Sequence, residues 1–246
     1  MKPKIIPPRI LTAALILLAL MGSKALGQNE TPQHQSAASL VEEFKNSTVF
    51  WKQFEIARKI AILRDTNVLQ GLTNLLSNED RHKRGNTAFI FASLGDDRGF
   101  EVIQGILTDK SERPEGQGMP GGNWTVEAQI ASDRYYAAHL FGDLKDARAV
   151  SVLVPLLHDE DVNYIVPWSL GEIGDKRAVK PLMAELSDKN PSMRVLAIYA
   201  LEALKAKEAL PRLKELLDDN GPANFGELVS VAAAAKAAIA ELQSNP

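Results

Sequence analysis

Three short stretches of the chain hold residue types that could do chemistry. "HDED", residues 158–161, puts the imidazole of His158 beside Asp159, Glu160 and Asp161. Those are the ligand types of a small divalent-metal site. "SDRYYAAHLFG", residues 132–142, sets His139 near Asp133, Arg134, Tyr135 and Tyr136. Such groups exchange protons with a substrate when they converge in a cleft. "LGEIGDKRAV", residues 170–179, carries Gly171 and Gly174 and then Asp175, Lys176 and Arg177. Glycines followed by basic residues can cradle a phosphate.

Each stretch also has a structural reading. Neighbouring side chains on a turn diverge, and "SNED" (77–80), "SDKN" (187–190) and "LDDN" (217–220) are similar turns without histidine. Each follows a leucine-rich segment, where acids and amides cap the next helix. "HDED" therefore reads as a capping turn, and no metal site is expected. On a helix, Asp133 and His139 are about 600° of rotation apart and face different ways, so His139 reads as a packed or surface residue. The glycine stretch recurs as Leu94-Gly95-Asp96-Asp97-Arg98-Gly99-Phe100, and more weakly from Leu63 and from Leu204. There Arg64 and Lys205 stand in place of Gly174. A phosphate loop would not survive those changes, so the stretch reads as the joint between two helices, with Gly174 ending one, Asp175 capping the next, and Lys176 and Arg177 solvated. A further copy, Phe141-Gly142-Asp143 leading to Arg148-Ala149-Val150, reads as carrying three extra residues in the turn. No Gly-x-Ser-x-Gly elbow, P-loop or His-Glu-x-x-His motif occurs. The reading is of a chain that is not an enzyme, with no catalytic residue and no cofactor.

The elements that hold these stretches are helices. Apolar residues fall at steps of three and four from residue 38 onward, as in Phe50, Phe54, Ala57 and Ala61. The two kinds of turn alternate, so each unit is a helix A, an acidic turn and a helix B. A helices are expected near 66–77, 97–109, 147–157, 177–187 and 207–218, and B helices near 49–63, 80–94, 125–141, 162–173, 191–204 and 226–243. With a short helix near 38–45 that makes about six pairs, all-α. Pro155 and Pro167 are expected to kink the helices of one unit. Neither helix of a pair can bury its apolar face alone, so neighbours must stack.

This pattern resembles the HEAT-repeat superfamily, in particular the short bacterial PBS-lyase HEAT-like type. Residues 170–204 and 146–175 carry the resemblance best. It implies an α-α superhelix, a solenoid whose B helices line the concave surface. The repeat type takes its name from enzymes that attach bilins to phycobiliproteins. Only the repeat matches, and an exported protein does not suit that role. Di-iron members of the superfamily use His-Glu pairs, and none of His34, His82, His139 and His158 precedes a glutamate.

Export is read from residues 1–27. Lys2, Lys4 and Arg9 precede the apolar run 10–21, and Ala25 and Gly27 suit cleavage before Gln28. The run is short against the roughly 20 residues that span a bilayer, although an uncleaved anchor is the alternative. No stable membrane span is expected after cleavage. Residues 28–37 read as a disordered linker and 38–246 as the repeat domain. The chain has no cysteine, and beyond residue 27 it carries 24 basic against 31 acidic residues. An acidic body argues against nucleic acid as a partner. A periplasmic or extracellular bacterial protein follows.

The Gly/Pro-rich insertion 110–124 breaks the period, and insertions in repeat proteins map to one face. Trp124 ends it, and Tyr135, Tyr136, Tyr164 and Trp168 follow on B helices. With Arg194 these are the candidate partner-binding residues, Trp and Tyr being favoured at interfaces. The expected function is an exported scaffold that binds a protein or peptide on its concave face. The alternatives are an envelope-assembly module without one tight ligand and a lyase or hydrolase around His139. Residues 1–27 fused ahead of a reporter active only after export should switch it on, with the mature chain starting at Gln28. A cytoplasmic, uncleaved fusion would remove the export reading.

Overall fold

The computed structural model describes residues 36–112 and 125–244. The leader, most of the 28–37 linker, and the insertion from 113 through Trp124 lie outside the described residues. Two compact units divide at Leu144 and Lys145. The first holds α1 (Ala37–Asn46), α2 (Phe50–Leu63), a 3-10 helix (Thr66–Ser77), α3 (Arg81–Ser93), α4 (Asp97–Thr108) and α5 (Val126–Leu144). The second holds α6 (Ala149–Leu153), α7 (Val166–Ile173), α8 (Val179–Glu185), α9 (Pro191–Ala203), α10 (Leu210–Glu215) and α11 (Val231–Ser244). Short 3-10 turns extend α6 and precede α8 and α10. The fold is all-α and repetitive, as the periodicity predicts.

Capping sets the helix starts. The Asp80 side chain accepts the N–H groups of His82 and Lys83, and Asn190 accepts that of Ser192 with Pro191 at the first helical position. The central helix of each unit buries several sides at once. In α3, Ala88, Ile90 and Phe91 are fully covered by α4 and α5, and in α9 Val195, Ala197, Ile198 and Leu201 lie between α7, α8 and α11. At Gly99, a Cβ would come within 2.3 Å of the α3 backbone, so only glycine lets α4 start that close.

Two ladders of turns join the elements. Arg64, Gly95, Lys145, Gly174 and Lys205 all have left-handed backbone, at intervals of 31, 50, 29 and 31 residues. At the first four an aspartate follows, and its carboxylate accepts the N–H two residues on, at Asn67, Arg98, Arg148 and Arg177. The second ladder is Asn78, Asp109, Asp159, Asp188 and Asp219, each again accepting the N–H two residues on. It has the same intervals, which confines the added length to residues between 109 and 144.

Four expectations need correction. The joint after α5 is Leu144-Lys145-Asp146, with no extra residues; Gly142 and Asp143 imitate the motif but lie inside the helix. Lys176 and Arg177 are not merely solvated. The Lys176 ammonium donates to the Leu204 carbonyl at 2.5 Å, and Arg177 donates to the Ala147 carbonyl at 2.6 Å, so they tie the joint to the repeats on either side. Pro167 starts α7 instead of kinking it, because its missing N–H costs nothing in a first turn. The final B helix begins late: Pro222–Asn224 and Leu228–Ser230 form an antiparallel hairpin around Gly226 before α11.

Left-handed backbone favours glycine. At Gly174 a Cβ would meet nothing within 4 Å, so the backbone alone decides its substitution. Gly174→Ala should cost about 1 kcal/mol, and Lys205→Gly should stabilise by up to ~1 kcal/mol. Urea midpoints at unchanged slope check both.

Candidate functional site

The chemistry-bearing side chains of the first unit gather where α2, α3 and α5 meet. The N-terminal turn of α2 brings Phe50 onto the His82 ring, stacked at 4.6 Å between centroids, and against Tyr136 edge-on at 5.4 Å. One turn on, Phe54 meets Phe89 at 5.0 Å and His139 at 6.1 Å. Tyr136 lies 6.3 Å from His139, one helical turn along α5. Trp51, half exposed, packs edge-on against Phe50 at 5.2 Å. An aromatic string thus leads from Trp51 at the surface to His139.

The polar groups in this wall are fixed. Tyr136 donates to the Asn86 side-chain oxygen, and the Asn86 amide donates to the Phe50 carbonyl and to Gln53. Gln53 in turn closes the end of α1 by donating to the Phe44 and Ser47 carbonyls. Burial raises the Tyr136 hydroxyl well above its ordinary range, and the nearby Asp143 carboxylate adds to that. The hydroxyl stays protonated, a donor and not a base.

His139 has its acid on the next turn: Nδ1 lies 3.4 Å from the Asp143 carboxylate, both side chains about one-fifth exposed. The i, i+4 spacing of this pair is visible in the sequence, unlike the six-residue separation of Asp133 from His139. Asp133 does face elsewhere. It is fully buried and meets Arg81 at 3.0 Å, while Arg81 also reaches Asp109 at 2.8 Å and the Ser111 hydroxyl at 2.7 Å. Arg81 so ties the residues before the insertion to those after it. Arg134, also buried, donates to the Leu107 carbonyl.

The candidate partner-binding residues do not form one surface. Tyr135 and Tyr136 are in the core, where they offer a partner little area, and burial raises the Tyr135 hydroxyl too. Tyr164, half-buried, accepts a hydrogen bond from the capping Asn190. Trp168 is half-buried on α7. Arg194 is part of the scaffold, donating to the Asp188 carbonyl at 2.6 Å and pairing with Asp219 at 2.8 Å. The open apolar residues lie elsewhere: Trp51 and Ile62 on α2 are 51% and 77% exposed, and Tyr199 is exposed on α9. Trp51, Glu55, Arg58 and Ile62 share one side of α2, a stripe the sequence reading passed over. No described helix is long and apolar enough to cross a membrane.

Residues 162–224 match the family model of HEAT repeats. That segment carries HEAT repeats. It is 35% identical to the phycocyanobilin lyase subunit alpha of a Picosynechococcus species, over 38% of this chain and 42% of that one. It is 32% identical to the bilin biosynthesis protein PecE of a Nostoc species, over 65% of this chain and 57% of the relative. The PecE protein of Mastigocladus laminosus is 28% identical, over 58% and 49%. The chain spans about half the length of the curated relatives it matches. These likenesses support a protein-interaction role. They overturn the expectation that the chain is not an enzyme, since one relative is named as a lyase subunit.

Arg81→Met should destabilise the protein by about 3–5 kcal/mol, because it leaves the buried Asp133 carboxylate without its arginine. Adding Asp133→Asn should restore part of that loss in chemical unfolding. If the single variant unfolds like the parent, the pairing does not hold the unit together.

Proposed function

We propose that this HEAT-repeat protein is of lyase type, docking an acceptor protein and handling a bilin that becomes joined to it. The observation that carries the reading is the similarity to a bilin lyase subunit and to bilin biosynthesis proteins. The site in the first unit suits such a ligand. A bilin is an open-chain conjugated tetrapyrrole, and the exposed Trp51 with the half-buried Phe50 and Phe54 offers flat aromatic area to lie against. His139 can take a proton from an attacking group and return it to the adduct, with Asp143 steadying the imidazolium. This chain has no cysteine, so a thiol nucleophile would come from the acceptor. The exposed stripe on α2 is the docking face we assign to that acceptor.

Titrating the full chain with phycocyanobilin tests the reading. A saturable red shift and gain in emission are expected, weakened in Phe54→Ala. His139→Ala should keep the binding and slow transfer to a thiol-bearing acceptor by about 10²–10⁴-fold. An unchanged bilin spectrum would remove the bilin and leave a protein-interaction role.

A further inference from the structure

The second ladder of turns has one rung unlike the others. The two residues that close the helix before each turn are Leu75 and Leu76, Ile106 and Leu107, Leu156 and Leu157, and Leu216 and Leu217. Before Asp188 they are Glu185 and Leu186. A carboxylate thus occupies a place that the other repeats give to leucine or isoleucine, and Glu185 is only 3% exposed. Its Oε2 has no hydrogen-bond partner. Its Oε1 lies 3.5 Å from Nε2 of His158, which reaches over from the equivalent turn of the preceding repeat.

The partners of the turn aspartates differ in the same way. Asp109 is neutralised by Arg81 at 2.8 Å and Asp219 by Arg194 at 2.8 Å, in each case an arginine from the preceding repeat. Between Asp159 and the end of α7 at Ile173 the chain supplies no arginine to Asp188. Asp188 instead lies with Glu185 and His158, one ligand atom from each within 4.8 Å of the others.

The geometry points to a divalent transition-metal site made of His158, Glu185 and Asp188, of the class that zinc fills. One imidazole and two carboxylates suit zinc better than magnesium or calcium, which take oxygen alone. The 3.5 Å between Nε2 and Oε1 is close to the roughly 3.3 Å edge of a tetrahedron with ~2.0–2.1 Å metal–ligand bonds. Two turns from successive repeats supply the ligands, so the ion does what an arginine does at the Asp109 and Asp219 rungs. His158 is 76% exposed, which leaves the outer side open to water or to a side chain of a partner. Burial holds the Glu185 carboxyl above its ordinary range, the Asp188 charge adds to this, and His158 opposes it. A cation would reverse that balance and favour the carboxylate.

Zinc titrated into the full chain, followed by calorimetry, should bind at one equivalent and raise the melting temperature, with both effects reversed by a chelator. His158→Ser and Glu185→Leu copy the residues of other rungs, so both variants should fold. Each should weaken zinc binding by more than the roughly 10–100-fold that loss of an outer-shell partner costs. In chelator, Glu185→Leu should melt higher than the parent, because the buried carboxylate is gone. A His34→Ala/His139→Ala variant should bind zinc as the parent does. Absence of saturable binding at one equivalent, or full binding by both ligand variants, would overturn the site.

Discussion

A carboxylate accepting the backbone N–H two residues along is the contact on which the described repeats turn, at eight of the ten turns in the two ladders. It occurs at Asp65, Asp96, Asp146 and Asp175 in one ladder and at Asp109, Asp159, Asp188 and Asp219 in the other. The contact satisfies a donor that a helix start would leave open. It also fixes the direction in which the next helix leaves. In the first ladder the arginine two residues on folds back onto the same carboxylate at Asp96, Asp146 and Asp175. Those arginines hold the carboxyl groups below their usual range. The pairs are exposed and add little energy on their own. Their effect is geometric: they stiffen a turn whose exit angle decides which side of a short helix meets the core. Helices as short as α6, α8 and α10, five to seven residues, cannot hold their shape alone, so the turns and the stacked neighbours must do it.

The same constraint explains why the one long break in the period is tolerated. Residues before and after the insertion are drawn together by Arg81, which reaches Asp109 and Ser111 on one side and Asp133 on the other. Because α4 and α5 pack on α3 in any case, an added loop between them changes only the connection. A buried arginine–aspartate pair is costly to desolvate and strongly destabilising to break. It therefore makes a firm clamp at the base of the insertion.

Much of this order was legible because it repeats. Apolar steps of three and four located the helices, and the recurring turns set their alternation. What the sequence hid depends on neighbours about thirty residues away. Lys176 looks like any solvated lysine until the Leu204 carbonyl is placed beside it. Tyr135 and Tyr136 look like interface residues until α3 and α4 close over them. Gly142-Asp143 carries the residue types of the joint three positions before the joint itself, inside α5. Only the left-handed backbone at Lys145 reveals the true register. The β-hairpin leaves no signal in the sequence because three-residue strands have too few residues to show alternation.

Register, once corrected, changes what counts as unusual. With the turns aligned on their aspartates, a glutamate among leucines at position 185 stands out, although glutamate in a surface helix of this charged chain is ordinary. The converse holds for "HDED", whose four adjacent polar groups look like a site yet diverge, so that His158 finds its partners one repeat further on. In a repeat array, adjacency along the chain says little about chemistry, because side chains meet mainly across the stack. Convergent groups are found by comparing each rung with its equivalents and asking which one departs from the packing rule. Glu185 departs by burying a charge where the rule asks for an apolar side chain. A departure of that kind costs stability unless something binds there, and that is the physical ground for treating the rung as functional.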